Sequence, residues 1–267
     1  MLVNLNDLLR EAVKSDFVVP CFTVYGQVDT KAIIKAAEYI QGPVIIAASC
    51  KLVECMGVAN AAHMIRGLAG EVKVPVCAHL DYGFPKDVII SAIYHGFSSV
   101  AFDGSSLSLE DNIQQTRKIA QAAHGKCVSI EGSIASLDPY EAEALIRDGE
   151  LDALAIKVDA ELQDLHEIAD RIEVPLVALN VKDNQKYLNA GLFGKLNLGP
   201  VLSQKYANEI RIKTQGASAG NQSKTVIDEV SPIIEESACK LLRLFYKPVT
   251  TLQDEQQPIW SFPYRDS

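Results

Sequence analysis

Short apolar runs rich in β-branched residues alternate along this chain with longer segments in which apolar residues recur at helical spacing. The runs cover residues 17–24, 43–49, 75–81, 98–103, 127–133, 153–159, 175–181 and 195–198. The helical segments cover residues 29–40, 58–69, 86–94, 109–123, 139–148 and 162–171. Such alternation is typical of a parallel sheet covered by helices. Eight runs in a chain of 267 residues predict an α/β fold of the (β/α)8 TIM-barrel type.

The predicted elements continue without a linker as far as residue 214, so we expect one barrel domain over residues 1–247. Residues 214–223 are rich in Gly, Ala and Ser and predict a loop, and residues 231–244 predict a helix that closes the barrel. Residues 248–267 predict an extended C-terminal arm that carries Trp260, Phe262 and Tyr264. This arm either packs on its own barrel or reaches a neighbouring subunit, and we expect a homodimer or homotetramer.

Composition and charge indicate which binding partners and which cellular compartment to expect. A formal net charge of −9 argues against nucleic acid or an anionic membrane as the main partner. No uninterrupted apolar run reaches about 18 residues, so no membrane span is expected. The start of the chain lacks a basic segment followed by an apolar one, and the six cysteines include no CxxC pair. We therefore expect a cytoplasmic protein without a signal peptide, a disulfide framework or a thiolate metal site.

Alternation along the strands predicts which side chains face the inside of the barrel, because successive residues of a strand point to opposite faces. In the sixth run Leu154 and Ile156 suit the side covered by helices, which places Lys157 inside. The same test places a set of polar residues inside: Thr23, Ser49, His79, Asp81, Asp103, Ser129, Glu131 and Asn197. Asn180 and Lys182 join them if Val177 and Leu179 face outwards.

These polar residues collect at the strand ends, where barrel enzymes keep their chemistry. They could instead bond one another and simply fill the barrel. An ammonium group among carboxylates is costly to desolvate, however, and packing alone does not require it. We therefore expect a functional pocket, with Glu131 balancing the charge of Lys157.

Several segments carry a family resemblance. Residues 79–83 are His-Leu-Asp-Tyr-Gly, and residues 96–105 are Gly-Phe-Ser-Ser-Val-Ala-Phe-Asp-Gly-Ser, followed by Glu110 and Asn112. With residues 128–131 and 195–197, these segments resemble the class II ketose-bisphosphate aldolases, which act on fructose or tagatose bisphosphate. The resemblance implies a (β/α)8 barrel, a phosphorylated sugar as ligand, and a zinc ion held by three histidines.

The chain departs from the family pattern at the ligand positions. Tyr82 replaces the second His of the family's His-Leu-Asp-His-Gly segment, and Ser133 replaces an acidic residue two positions after Glu131. Residues 158–162 and 179–182 also lack the family's histidine segments, including its Gly-Gly-Ser phosphate cradle, and the loops after strands five and six are short. We therefore expect no metal and no cofactor.

The resemblance and the strand pattern together nominate two groups of site residues. The catalytic candidates are Asp81, Asp103, Glu131 and Lys157. The candidates for binding the substrate are Ser49, His79, Asn180, Lys182 and Asn197. Two of these have structural alternatives, since Asp81 could cap a neighbouring backbone and Asp103 could anchor the turn that follows it by an Asx bond.

Three functions stay open at this point. We expect a divergent aldolase-family barrel that has lost zinc-dependent aldol chemistry and is a non-catalytic or altered binding protein for a small, sugar-phosphate-like molecule. The alternative is a metal-independent carbon–carbon lyase in which Lys157 forms a Schiff base and Lys182 lowers its pKa by charge repulsion. The third is an ordinary zinc aldolase.

Overall fold

The computed structural model describes residues 1–14, 19–157, 167–168, 170–179, 196–198, 235, 238–239 and 242. The strands are β1 (Leu2–Val3), β2 (Cys21–Val24), β3 (Val44–Ala48), β4 (Val76–Leu80), β5 (Ser99–Phe102), β6 (Ser129–Ile134), β7 (Ala153–Lys157), β8 (Leu176–Leu179) and β9 (Leu196–Leu198). The helices are α1 (Leu5–Lys14), α2 (Gln27–Ile40), α3 (Cys50–Met56), α4 (Val58–Gly70), α5 (Lys86–His95), α6 (Leu109–His124) and α7 (Pro139–Gly149). The predicted C-terminal arm and the closing helix fall largely or wholly outside these residues.

The strands form one parallel sheet in which chain order is spatial order, from β2 through to β9. The short β1 lies beside β4, where Leu2 and Val3 pair with Val76 and Cys77. Each strand pairs with the next one in the chain, which is the connectivity of a barrel-like α/β fold. Among the described strands no pairing joins β9 to β2, so complete closure stays a prediction.

The outer face of the sheet packs against the helices in one large core. Leu154 and Ile156 lie in this core together with Ile119 of α6 and Leu145 of α7, and all four are almost fully buried. Burial of each such side chain contributes about 1.5 to 3 kcal/mol. The predicted outward orientation of Leu154 and Ile156 is confirmed. Within the described part of the chain, no helix has the length and apolar character that a membrane crossing requires.

A second, smaller core fills the inside of the sheet at the amino ends of the strands. Leu5, Leu8 and Leu9 of α1 are almost fully buried there, against small and apolar strand residues. Those strand residues include Ile45, Cys77, Ala153, Ala155 and Val177. Helix α1 therefore blocks one end of the sheet interior, which leaves the carboxyl ends of the strands as the open side for a ligand.

Val177 corrects the predicted orientation of the seventh run. Its side chain belongs to the inner core, and its backbone pairs with Ala155, which is also inside. The expectation that Val177 faces the helices is therefore wrong. The reason for placing Asn180 and Lys182 inside is lost with it, because that placement depended on the same alternation. Both residues lie outside the described part of the chain.

Candidate active site

Four predicted catalytic residues lie at or near the carboxyl ends of adjacent strands. Asp81 directly follows β4, Asp103 directly follows β5, Glu131 lies within β6 and Lys157 ends β7. Because the strands are parallel and hydrogen-bonded in this order, their carboxyl ends meet at one edge. The sheet thus brings the backbone of Asp81, Asp103 and Lys157 to the end opposite α1, while Glu131 is the third of the six residues of β6.

Asp81 joins two strands that are not direct neighbours. Its Oδ2 accepts a hydrogen bond from the Thr23 hydroxyl of β2 at 3.2 Å, and its Oδ1 accepts one from the Tyr82 amide at 2.9 Å. The second bond is the backbone cap considered above as the alternative role. Burial raises the pKa of the Asp81 carboxyl even though both hydrogen bonds act to lower it.

Glu131 is the most buried of these carboxyl groups, with 5% of the residue exposed. Burial raises its pKa to about 7, opposed by a contribution from the Tyr82 hydroxyl and assisted by the negative charge of Asp81. A carboxyl with this pKa exchanges protons readily near neutral pH. This is the property that general acid–base catalysis requires.

Tyr82 lies near several of these carboxyl groups. Its ring packs against the inner core, and its hydroxyl is buried without a hydrogen-bond partner among the described residues. Burial raises the pKa of Tyr82 well above its ordinary value, and the charges of Glu131, Asp81 and Asp103 raise it further. The Tyr82 hydroxyl and the Glu131 carboxyl therefore lie close enough for each to shift the pKa of the other, although the hydroxyl makes no hydrogen bond to a described residue. The hydroxyl stays protonated and can act as a donor.

Asp103 is exposed and belongs to a network at the ends of β5 and β6. Its Oδ1 accepts hydrogen bonds from the Ser105 amide at 3.0 Å and from the Ser133 hydroxyl at 2.6 Å. The first bond is the Asx-type turn predicted as its alternative role. The second gives Ser133, which stands where the family has an acidic residue, the role of a hydrogen-bond donor.

Asn112 supports this network from α6 and was not among the predicted site residues. Its buried side-chain amide donates to the Ser133 carbonyl at 3.0 Å and accepts from the Thr116 hydroxyl at 3.0 Å. A Cβ added at Gly104 would lie 1.8 Å from Asn112 Oδ1. The Asn112 side chain therefore needs glycine at position 104.

Two predicted ligand-binding residues already bond within the chain. The Ser49 hydroxyl donates to the Val24 carbonyl at 2.8 Å and accepts from the Leu52 amide at 3.2 Å, so it caps α3. His79 Nδ1 shares a hydrogen bond of 2.9 Å with the Ser99 hydroxyl. Burial lowers the pKa of His79 to about 4, so its imidazole is neutral at physiological pH. Substrate contact by either residue stays a prediction.

For the remaining predicted residues, the structure describes only the backbone or does not describe the residue. Lys157 pairs with Leu179, and Asn197 pairs with Val177, but the side chains of Lys157 and Asn197 lie outside the description. Asn180 and Lys182 lie outside it entirely, as noted above. The roles of these four residues in binding or catalysis therefore stay predictions.

Among the residues that the structure describes, the donor groups do not fit the histidine-held zinc that the resemblance implies. Tyr82 offers a protonated hydroxyl at one ligand position, and Ser133 offers a hydroxyl that is bonded to Asp103. Across the described residues, no group of three His, Cys, Asp or Glu side chains is placed to hold a metal ion. A structural zinc site usually has four such ligands, and a catalytic one usually has three.

The chain is similar in sequence to proteins named as aldolases. A 6-phospho-5-dehydro-2-deoxy-D-gluconate aldolase of Halalkalibacterium halodurans is 30% identical over 243 residues, which cover 79% of this chain and 84% of that protein. A fructose-bisphosphate aldolase of Thermus caldophilus is 34% identical over 154 residues, covering 58% of this chain and 50% of that protein.

Solved structures and a family model agree with these relatives. The structure of the YdjI aldolase from Escherichia coli K12 matches with a TM-score of 0.82 at 22% identity, covering 93% of this chain and 99% of that one. At this identity the likeness supports the fold. The model described as fructose-bisphosphate aldolase class-II matches residues 3–181, more than half of the sequence. The chain therefore belongs to the class II fructose-bisphosphate aldolase family.

Proposed function

We propose that this protein is a zinc-independent carbon–carbon lyase that acts on a small phosphorylated carbonyl sugar at the carboxyl ends of a closed (β/α)8 barrel. The observation that carries the proposal is Glu131, a buried carboxyl whose pKa of about 7 suits proton exchange. The names of the relatives support a phosphorylated sugar acid or ketose as the substrate class. The extent of the match to the YdjI aldolase supports closure of the barrel.

Glu131 acts as the proton-transfer group of an aldol cleavage. Its carboxylate takes the proton from the hydroxyl on the carbon β to the carbonyl. The bond between the α and β carbons then breaks, the β carbon leaves as an aldehyde, and the electron pair stays with the α-carbon fragment. Asp81 or the protonated Glu131 returns a proton to the α carbon. The Glu131 pKa of about 7 favours these exchanges near neutral pH, and burial also raises the pKa of Asp81.

The electron pair left on the α-carbon fragment needs an acceptor, and we assign this role to Lys157. Its neutral amine adds to the substrate carbonyl, one proton from solvent lets the carbonyl oxygen leave as water, and the resulting iminium accepts the pair when the carbon–carbon bond breaks. After the α carbon is protonated, hydrolysis of the iminium releases the second product, restores the amine and returns the proton to solvent. Two positions support the assignment: Lys157 is the last residue of β7, and it follows Ala155 of the inner core by two residues.

A second candidate function is binding of the same class of ligand without chemistry. It is favoured by the intrachain bonds of Ser49 and Asp103, which already use these side chains for a helix cap and a turn. A ligand-binding descendant would keep the cavity and the buried charges of the family while losing turnover.

Reductive trapping and one matched pair of variants separate the two functions. Borohydride added with a panel of ketose phosphates should give a covalent adduct in the wild type, read by intact mass, and none in Lys157→Ala. Glu131→Gln should lower kcat by about 100-fold or more, the usual contribution of a general acid–base group. The control is Glu71→Gln, an exposed residue beyond the end of α4. Ligand binding without an adduct or turnover would leave the binding function in place of the lyase.

A further inference from the structure

The Tyr82 hydroxyl is an exception to the way this protein uses its buried polar groups. Across the described residues it is the buried side-chain polar atom left without a hydrogen-bond partner. Buried polar groups are almost always paired, because an unpaired one loses its bonds to water without replacement. Ser49, His79, Ser133 and Asn112 in the same region all have partners within the chain.

The backbone around Tyr82 fixes where its side chain points. The Tyr82 amide donates to Asp81, and the Cys50 thiol donates to the Tyr82 carbonyl at 3.5 Å. Gly83 follows with a φ of +101°, a region that L side chains rarely adopt, and a Cβ there would lie 3.0 Å from Cys50 Sγ. The Tyr82 ring is partly buried and packs against the inner core. The unpaired hydroxyl is therefore held in place.

The surroundings of the hydroxyl suit a ligand oxygen. Glu131, Asp81 and Asp103 are all near enough for their charges to act on Tyr82. A carboxylate cannot donate when ionised, and the Tyr82 hydroxyl can donate one hydrogen bond. A carbonyl oxygen that enters this space would accept that bond, while a hydroxyl of the same ligand would donate to Glu131.

We propose that Tyr82 contacts the substrate, donating a hydrogen bond from its hydroxyl to the carbonyl oxygen of the bound sugar phosphate. The inference rests on the proposed function and adds a residue that replaces a family metal ligand. The bond draws electron density from the carbonyl and makes its carbon more open to attack by the Lys157 amine. The Tyr82 proton stays on its oxygen throughout, and the carbonyl oxygen leaves later as water. Preorganised donors of this kind stabilise charge that develops on oxygen.

Tyr82→Phe removes the hydroxyl and keeps the ring. Calorimetric titration with dihydroxyacetone phosphate should give a Kd about 5- to 10-fold weaker than that of the wild type, the loss expected for one hydrogen bond. Tyr94→Phe is the matched control, because Tyr94 is exposed on α5 with its ring under the Lys126 ammonium. This control should bind as the wild type does. Equal affinity in Tyr82→Phe and wild type would overturn the inference and leave the proposed function intact.

Thermal unfolding of the ligand-free proteins gives a second readout. Because the hydroxyl is unpaired, removing it should leave Tm unchanged or raise it by about 2 to 4 °C. A Tm lowered by a similar amount would show that the hydroxyl bonds within the fold, which would also overturn the inference. If the wild type binds none of the phosphorylated carbonyl compounds, the proposed function fails, and the role of Tyr82 fails with it.

Discussion

Glu131 should make the protein less stable as the pH rises through neutrality. Its pKa is raised from 4.5 to about 7 in the folded state, chiefly because the side chain is buried. Below pH 4.5 the group is protonated in both states, so the folded protein keeps its full stability. Between pH 4.5 and about 7 the unfolded chain releases the proton while the folded chain retains it, and the free energy of unfolding falls. Above about pH 7 the loss is complete.

The size of the effect follows from the two pKa values. A rise from 4.5 to about 7 corresponds to about 3 kcal/mol of preference for the protonated form. Glu131→Gln keeps the shape of the side chain and cannot ionise, so it should not lose this stability. Relative to the wild type, the variant should therefore gain about 3 kcal/mol between pH 4.5 and pH 8.

Urea unfolding followed by circular dichroism at both pH values measures this difference. Glu71→Gln, the exposed control, should follow the wild type at each pH. Other groups titrate in all three proteins and largely cancel in the comparison. If Glu131→Gln loses as much stability as the wild type between pH 4.5 and pH 8, Glu131 is not held protonated by burial. The acid–base role assigned to it would then lose its physical basis.

Further variants test the network and the neutral histidine. Gly104→Ala should destabilise the protein by about 1 to 3 kcal/mol in chemical unfolding, because its Cβ would overlap Asn112. Gly67→Ala, in open space within α4, should instead be neutral or stabilising by up to about 1 kcal/mol. Ser133→Ala should cost about 1.5 to 3 kcal/mol through loss of its bond to Asp103. His79 should stay neutral down to about pH 4 in an NMR titration, and a transition near pH 6.5 would contradict its burial beside Ser99.

The strands could be predicted because size and polarity separate the two faces of most of them. In β7, bulky Leu154 and Ile156 alternate with Ala153 and Ala155, and each pair lies on its expected face. In β8 every residue is apolar, so size does not separate the faces. The orientation of Val177 was predicted wrongly because α1 makes the amino end of the interior apolar, so an apolar side chain there can face inwards.

The sequence patterns did not predict helix α1 or the hydrogen bond from Asn112 to Ser133, and the two reasons differ. The spacing of Leu5, Leu8, Leu9 and Ala12 is helical and could have predicted α1, since all four are buried on one side of it. Asn112 depends on contacts with Ser133 across the sheet edge, and no local pattern contains that information. The unpaired state of the Tyr82 hydroxyl likewise needs coordinates.

Turnover after metal removal shows whether the protein cleaves a carbon–carbon bond without zinc. The wild-type protein would be treated with EDTA, freed of metal as checked by elemental analysis, and assayed by coupled detection of the aldehyde product from phosphorylated ketoses and keto sugar acids. We expect the same kcat before and after chelation, with no gain on adding zinc, and a loss of about 100-fold or more in Glu131→Gln. Activity that disappears with chelation and returns with zinc would contradict this expectation.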